Sequence, residues 1–127
     1  MRILIVDDKQ AIIENLSKLL ASRGYQVDTA CNGLDASEKC QDGRYDLLIV
    51  DHLMPIMNGI QLIKNLRQTD YYALIPIIFM TTQGTNSVQL KSEAGLFSDI
   101  IDKPINESVL LNLIANYQSS NTRTLSL

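Results

Sequence analysis

Apolar residues along the chain alternate between two patterns. Short runs at Arg2–Val6, Gln26–Ala30, Asp46–Val50, Pro76–Met80 and Ser98–Ile101 read as strands. Between them the apolar spacing becomes helical. Ile12, Ile13, Leu16, Leu19 and Leu20 form one stripe, Ile60, Ile63 and Leu66 another, and Val109, Leu110, Leu113, Ile114 and Tyr117 a last one. Gly24 is predicted to stop the first helix. Asn106 is predicted to cap the last one, with Glu107 well placed in its first turn. The stretch before the fifth strand is weaker. Gly84-Thr85-Asn86-Ser87 is poor helix material and only Val88, Leu90 and Ala94 offer an apolar face, so a short or mobile fourth helix is expected. Strand and helix in repeated alternation predict an α/β fold, a parallel sheet with helices on both faces. The unbroken apolarity of the first, third and fourth strands fits a sheet buried on both sides.

Length and composition narrow the possibilities. The 127 residues suit one domain with a substantial core, here expected over 1–117. The polar, Ser- and Thr-rich residues 118–127 form a tail expected to fray. The net charge is −3 and no segment concentrates Lys or Arg, which argues against a sequence-independent grip on nucleic acid. No apolar stretch approaches a membrane span. The chain starts on a strand pattern rather than a signal peptide, and Cys31 and Cys40 lack partners at metal-ligand spacing. Reduced thiols in the cytoplasm are the expectation.

Three acids stand where ligands of such sheets bind, beyond the carboxyl ends of the strands. Asp7-Asp8 follows the first strand and Asp51 the third. Brought together, three ionised carboxylates repel one another and need a compensating cation. An all-oxygen donor set favours Mg²⁺, which commonly shares its shell with a phosphate oxygen. A carboxylate can itself accept a phosphoryl group without a general base. Transfer then needs donors and a fixed cation, and Thr81 and Lys103 follow the fourth and fifth apolar runs. Singly, Asp7-Asp8 reads as a cap, Thr81 as a strand end and Lys103 before Pro104 as an exposed turn. Together they point to one phosphoryl-handling site. His52, the sole histidine, adjoins Asp51 and is expected to face away from it, toward solvent or a partner. Met54 and Met57 are expected to pack the loop, and Tyr71-Tyr72 to cover the edge of the core.

The loop Asp51-x-x-Met54-Pro55-x-x-Asn58-Gly59, with Asp7-Asp8, Lys103-Pro104 and the intervals between Asp51, Thr81 and Lys103, resembles the receiver domain of two-component response regulators. The resemblance runs from Arg2 to about Tyr117. It implies a flavodoxin-like, doubly wound (βα)5 fold, with the five parallel strands in the order 2-1-3-4-5. It implies that Asp51 accepts a phosphoryl group from a sensor histidine kinase or phosphotransfer protein. Asp8, Asp51 and the backbone carbonyl of Leu53 would hold Mg²⁺, or Mn²⁺ in its place, with Asp7 acting through water. Lys103, the Thr81 hydroxyl and the Thr82 backbone amide would bind the phosphoryl oxygens, and the Lys103–Pro104 peptide would be cis. Thr81 would be one switch position. The other is Ile100, where the family carries Tyr or Phe, and Thr82 stands where Ala is common. Signalling is therefore expected to rely on ordering of the Thr81–Thr85 loop and the fourth helix.

Other functions fit less well. A Mg²⁺-dependent phosphatase with an aspartyl-phosphate intermediate usually places its nucleophile on the first strand with a second acid two residues on, whereas Asp7 and Asp8 are contiguous. A flavin module needs a phosphate cradle after the first strand, where this chain has acids. A receiver that has lost phosphorylation would not be expected to keep the acids, Thr81 and Lys103. The resemblance further implies a monomer or a phosphorylation-dependent dimer acting on a protein target, without nucleic acid or membrane contact of its own. Partner choice is expected on the first helix, through Gln10, Glu14 and Ser17. About ten polar residues after the last helix are too few for an effector. A single-domain regulator, or a receiver from a longer chain, is expected.

Overall fold

All five strands run parallel, in the order β2-β1-β3-β4-β5. The computed structural model describes residues 1–84 and 93–126. β1 (Arg2–Val6) and β2 (Gln26–Ala30) have the expected bounds, while β3 (Leu47–Asp51), β4 (Ile77–Thr81) and β5 (Asp99–Asp102) sit one residue later than the apolar runs. The shift has a cause in the ladder. The His52 amide donates to Met80 O and the Lys103 amide to Thr81 O, both at 2.9 Å, so sheet bonding carries Asp51 and Thr81 into the strands. β3 and β4 are buried along their whole length.

Alternation along the strands builds two cores. Leu4, Val6, Leu48, Val50, Ile77 and Phe79 face α2 (Gly33–Asp42) and α3 (Gly59–Arg67). Ile3, Ile5, Leu47, Ile49, Ile78 and Met80 face α1 (Gln10–Ser22) and the C-terminal helix (Glu107–Ser126). The helix stripes land largely as expected. Ile13, Leu16 and Leu20 of α1 are buried, as are Leu110 and Ile114 of the C-terminal helix, although Val109 is exposed. Gly24 follows α1 with φ of 87°, a left-handed conformation that favours glycine. Asn106 caps the C-terminal helix by accepting from the Val109 amide at 3.1 Å.

Helical backbone runs to Ser126, with no Gly or Pro to interrupt it. One expectation is corrected. Ser17 is only half exposed and its hydroxyl oxygen is buried without a hydrogen-bond partner, so it is not a surface reading position as Gln10 and Glu14 are. The expected fourth helix lies largely outside the described residues; Ala94–Leu96 form a short 3₁₀ turn. Among the described residues no helix is long and apolar enough to cross a membrane.

Candidate functional site

The order of winding reverses between β1 and β3, and their carboxyl ends bring the three acids together. Asp7, Asp8 and Asp51 each offer a carboxylate oxygen, and these oxygens lie within 4.8 Å of one another. Asp7 is fully buried and both its oxygens are engaged. Oδ1 accepts from the Lys9 amide at 2.9 Å and Oδ2 from Lys103 Nζ at 2.9 Å. Asp8 is exposed, with a 3.5 Å contact to Lys9 Nζ. Asp51 is buried; its Oδ1 lies 2.8 Å from Lys103 Nζ, and its Oδ2 is buried with no hydrogen-bond partner among the described residues.

Lys103 is thus the hinge of the charge distribution. It follows β5, its peptide to Pro104 is cis, and its ammonium is shared between Asp7 and Asp51. Burial alone would lower its pKa, but the hydrogen bonds to Asp51 and Asp7 outweigh that and raise it. Burial raises the Asp51 carboxyl despite the bond from Lys103, and the Asp7 charge adds to the rise. Two ammoniums, the shared Lys103 and the more exposed Lys9, against three acids leave the site short of positive charge. Oxygen donors alone, a shortage of positive charge and an orphaned buried carboxylate oxygen fit a hard divalent cation.

The other expected residues divide between this mouth and the neighbouring core. A cleft of about 420 Å³ has Lys9, Asp51, His52, Leu53, Thr82 and Lys103 among its lining residues. Leu53 is 51% exposed. Thr81 ends β4 fully buried, and its hydroxyl oxygen accepts from the Gln83 amide at 3.0 Å. Ile100, on edge strand β5, is half-buried against the α2–α3 core. Met54 is buried in that core and Met57 packs against it. Tyr72 is buried with its hydroxyl donating to Gly43 O at 3.1 Å, and the Tyr71 hydroxyl donates to Tyr45 O at 3.1 Å.

His52 departs from expectation. It is 3% exposed rather than solvent-facing, and its Nδ1 lies 2.9 Å from Thr81 Oγ1. Its ring leans on Phe79 at 5.0 Å between centroids. Burial lowers its pKa, which favours the neutral ring. The loop after β3 also holds features that apolar periodicity passes over. Asn58 and Gln61 form a reciprocal capping box at the start of α3, a signal legible in the Asn-x-x-Gln spacing. The Gly59 amide donates to His52 O at 2.8 Å. Ile56, 83% exposed, takes φ of 71°, where β-branched residues are strained.

Comparison with known proteins agrees with this architecture. The response regulator receiver domain family matches residues 3–115. The chemotaxis protein CheY4 of Vibrio cholerae has a similar structure, with a TM-score of 0.84 and 33% identity, covering 91% of this chain and 97% of that one. The transcriptional regulatory protein DltR of Streptococcus agalactiae is 34% identical over 111 residues, 87% of this chain and 49% of the relative. The phosphate regulon transcriptional regulatory protein PhoB of Rhizobium meliloti is 33% identical over 110 residues, 87% of this chain and 48% of the relative. The chain spans about half the length of the curated relatives it matches.

Proposed function

The chain belongs to the response regulator receiver domain family, and on that premise we propose that Asp51 accepts a phosphoryl group from a histidine kinase or phosphotransfer protein and so switches the surface shown to a protein target. One observation carries this reading. Asp51 has one oxygen held by Lys103 and a second, buried oxygen with no hydrogen-bond partner. A free oxygen on an ionised carboxylate, oriented through its sibling, suits nucleophilic attack.

In the proposed reaction a carboxylate oxygen of Asp51 attacks the phosphorus of a phosphohistidine. The new O–P bond forms as the P–N bond breaks, and its electron pair returns to the donor's imidazole. No general base is required. Lys103 stays beside Oδ1 and offsets charge on the transferred oxygens, while the Thr81 hydroxyl and the Thr82 amide supply donors. Asp8, Asp51 and the Leu53 carbonyl would hold Mg²⁺, for which Mn²⁺ could substitute. Asp7, with both oxygens engaged, would act through water. The bound cation supplies positive charge for the phosphoryl oxygens. Water attack on the acyl phosphate later breaks the O–P linkage, releasing inorganic phosphate and returning the carboxylate, so the chain acts as a slow self-resetting switch in the cytoplasm rather than an enzyme for added substrates.

Exposed Gln10 and Glu14 on α1 lie on the helix that follows Asp8 and Lys9, and support docking of the phosphodonor there. The experiment is incubation with acetyl phosphate and Mg²⁺ followed by intact mass. One added phosphoryl group is expected on wild type and none on Asp51→Asn or in EDTA. No Mg²⁺-dependent adduct with any donor would overturn the reading.

A further inference from the structure

The proposed phosphoryl chemistry makes no use of His52, yet its ring is tied directly to one of the groups that chemistry needs. Nδ1 lies 2.9 Å from Thr81 Oγ1, in a place closed to solvent. The ring is not free to drift away. It leans on Phe79, which stacks in turn on Phe97 with centroids 4.2 Å apart and planes 5° from parallel. Thr81 Oγ1 is thereby fixed between the His52 ring and the Gln83 amide. Asp51 Oδ2 meanwhile has no hydrogen-bond partner, so the Thr81 hydroxyl does not reach it in this state.

A threonine hydroxyl carries one proton and swings about a single bond. With the neutral His52 ring accepting the Thr81 proton at Nδ1, the tautomer this proposal takes, that proton must leave the ring before Thr81 can donate to a phosphoryl oxygen on Asp51. A buried hydrogen bond has to be broken or bent for each closure. We propose that His52 is a positioning residue that holds Thr81 in its resting orientation and sets the free energy needed to close onto the modified acceptor. This inference rests on the reading of Asp51 as phosphoacceptor. It accounts for a buried histidine beside the acceptor without giving it an acid, base or ligand role.

The test uses the whole chain with Mg²⁺ and beryllium fluoride as the phosphoryl analogue, in wild type, His52→Phe and His52→Leu. Both variants lack the nitrogen that faces Thr81 but differ in shape, so a packing effect would separate them and the lost bond would not. Affinity for the analogue is expected to tighten about threefold to tenfold in both, the equivalent of one neutral hydrogen bond. The tightening should disappear when either substitution is made in a Thr81→Ala background, which a merely structural role of His52 would not require. The three-bond couplings of Thr81 should also show its side chain leaving the resting rotamer in the unmodified variants. Unchanged or weaker affinity, a gain that survives Thr81→Ala, or an unmoved Thr81 rotamer would overturn the proposal. Failure of wild type to bind the analogue would instead defeat the reading of Asp51, and this proposal with it.

Discussion

Gly59 sits so close to Asp51 that a Cβ there would lie 2.2 Å from the Asp51 carbonyl oxygen. The same atom would come within 2.9 Å of the Phe79 ring. The first turn of α3 is therefore seated directly on the backbone of Asp51, an approach that only a residue without a side chain permits. Gly59→Ala is expected to cost about 2–3 kcal/mol, as an overpacked core does, because backbone rather than a flexible side chain must move. Urea unfolding measures it. A midpoint equal to wild type would show that the contact yields freely.

Asp51 is placed at some expense to the fold. Burial raises the Asp51 carboxyl above its ordinary value of 3.8, so its contribution to stability is greatest below that value and is lost as the pH rises through the folded one. At neutral pH the ionised group is a net cost. Asp51→Asn should then unfold at higher urea than wild type in metal-free buffer. Millimolar Mg²⁺ should raise the melting temperature of wild type, since a ligand that binds only the native state stabilises it. Asp8→Asn and Asp51→Asn should lose that rise. A metal-free Asp51→Asn less stable than wild type would contradict the charge argument.

Arg67 ties three segments together. Its Nε donates to Leu96 O at 3.1 Å, and Nη1 donates to Tyr72 O at 2.9 Å and Ile75 O at 2.6 Å. Arg67→Ala leaves these carbonyls without their charged donor and is expected to cost about 2–3 kcal/mol in urea unfolding. The variant should still accept a phosphoryl group, because Arg67 lies at the far end of α3 from Asp51. Loss of modification in a folded Arg67→Ala would contradict this separation.

Ile56 invites the opposite substitution. A β-branched residue with φ of 71° is strained, and at 83% exposure little packing repays it. Ile56→Gly is expected to gain up to about 1 kcal/mol, the relief of strain being partly offset by the greater freedom of glycine when unfolded. Hydrogen exchange of the Met57–Gly59 amides and the urea midpoint report it. A destabilised variant would mean that Ile56 makes a contact worth more than its strain.

Much of this could be read before the structure, and the failures have physical reasons. The strands, the two-sided sheet and the meeting of Asp7, Asp8, Asp51 and Lys103 follow from apolar runs that end in acids or lysine. The ends of β3, β4 and β5 read one residue short because Asp51, Thr81 and Asp102 are polar, while ladder bonding depends on the backbone. His52 escapes the periodic pattern for a different reason. Alternation says which side of a sheet a residue takes, but not how far Phe79 and the neighbouring core extend cover over the strand end. Gly59 carries no periodic signal at all; its need arises from a close approach between segments that the sequence does not display.

The most direct measurement is chemical trapping of the modified residue. Treating the chain with acetyl phosphate and Mg²⁺, reducing with borohydride and sequencing the peptides by mass places the acceptor, because hydride converts an aspartyl phosphate to homoserine with loss of phosphate. Homoserine is expected at position 51 alone, and none when Mg²⁺ is withheld. Homoserine at position 7 or 8, or at no position, would contradict it.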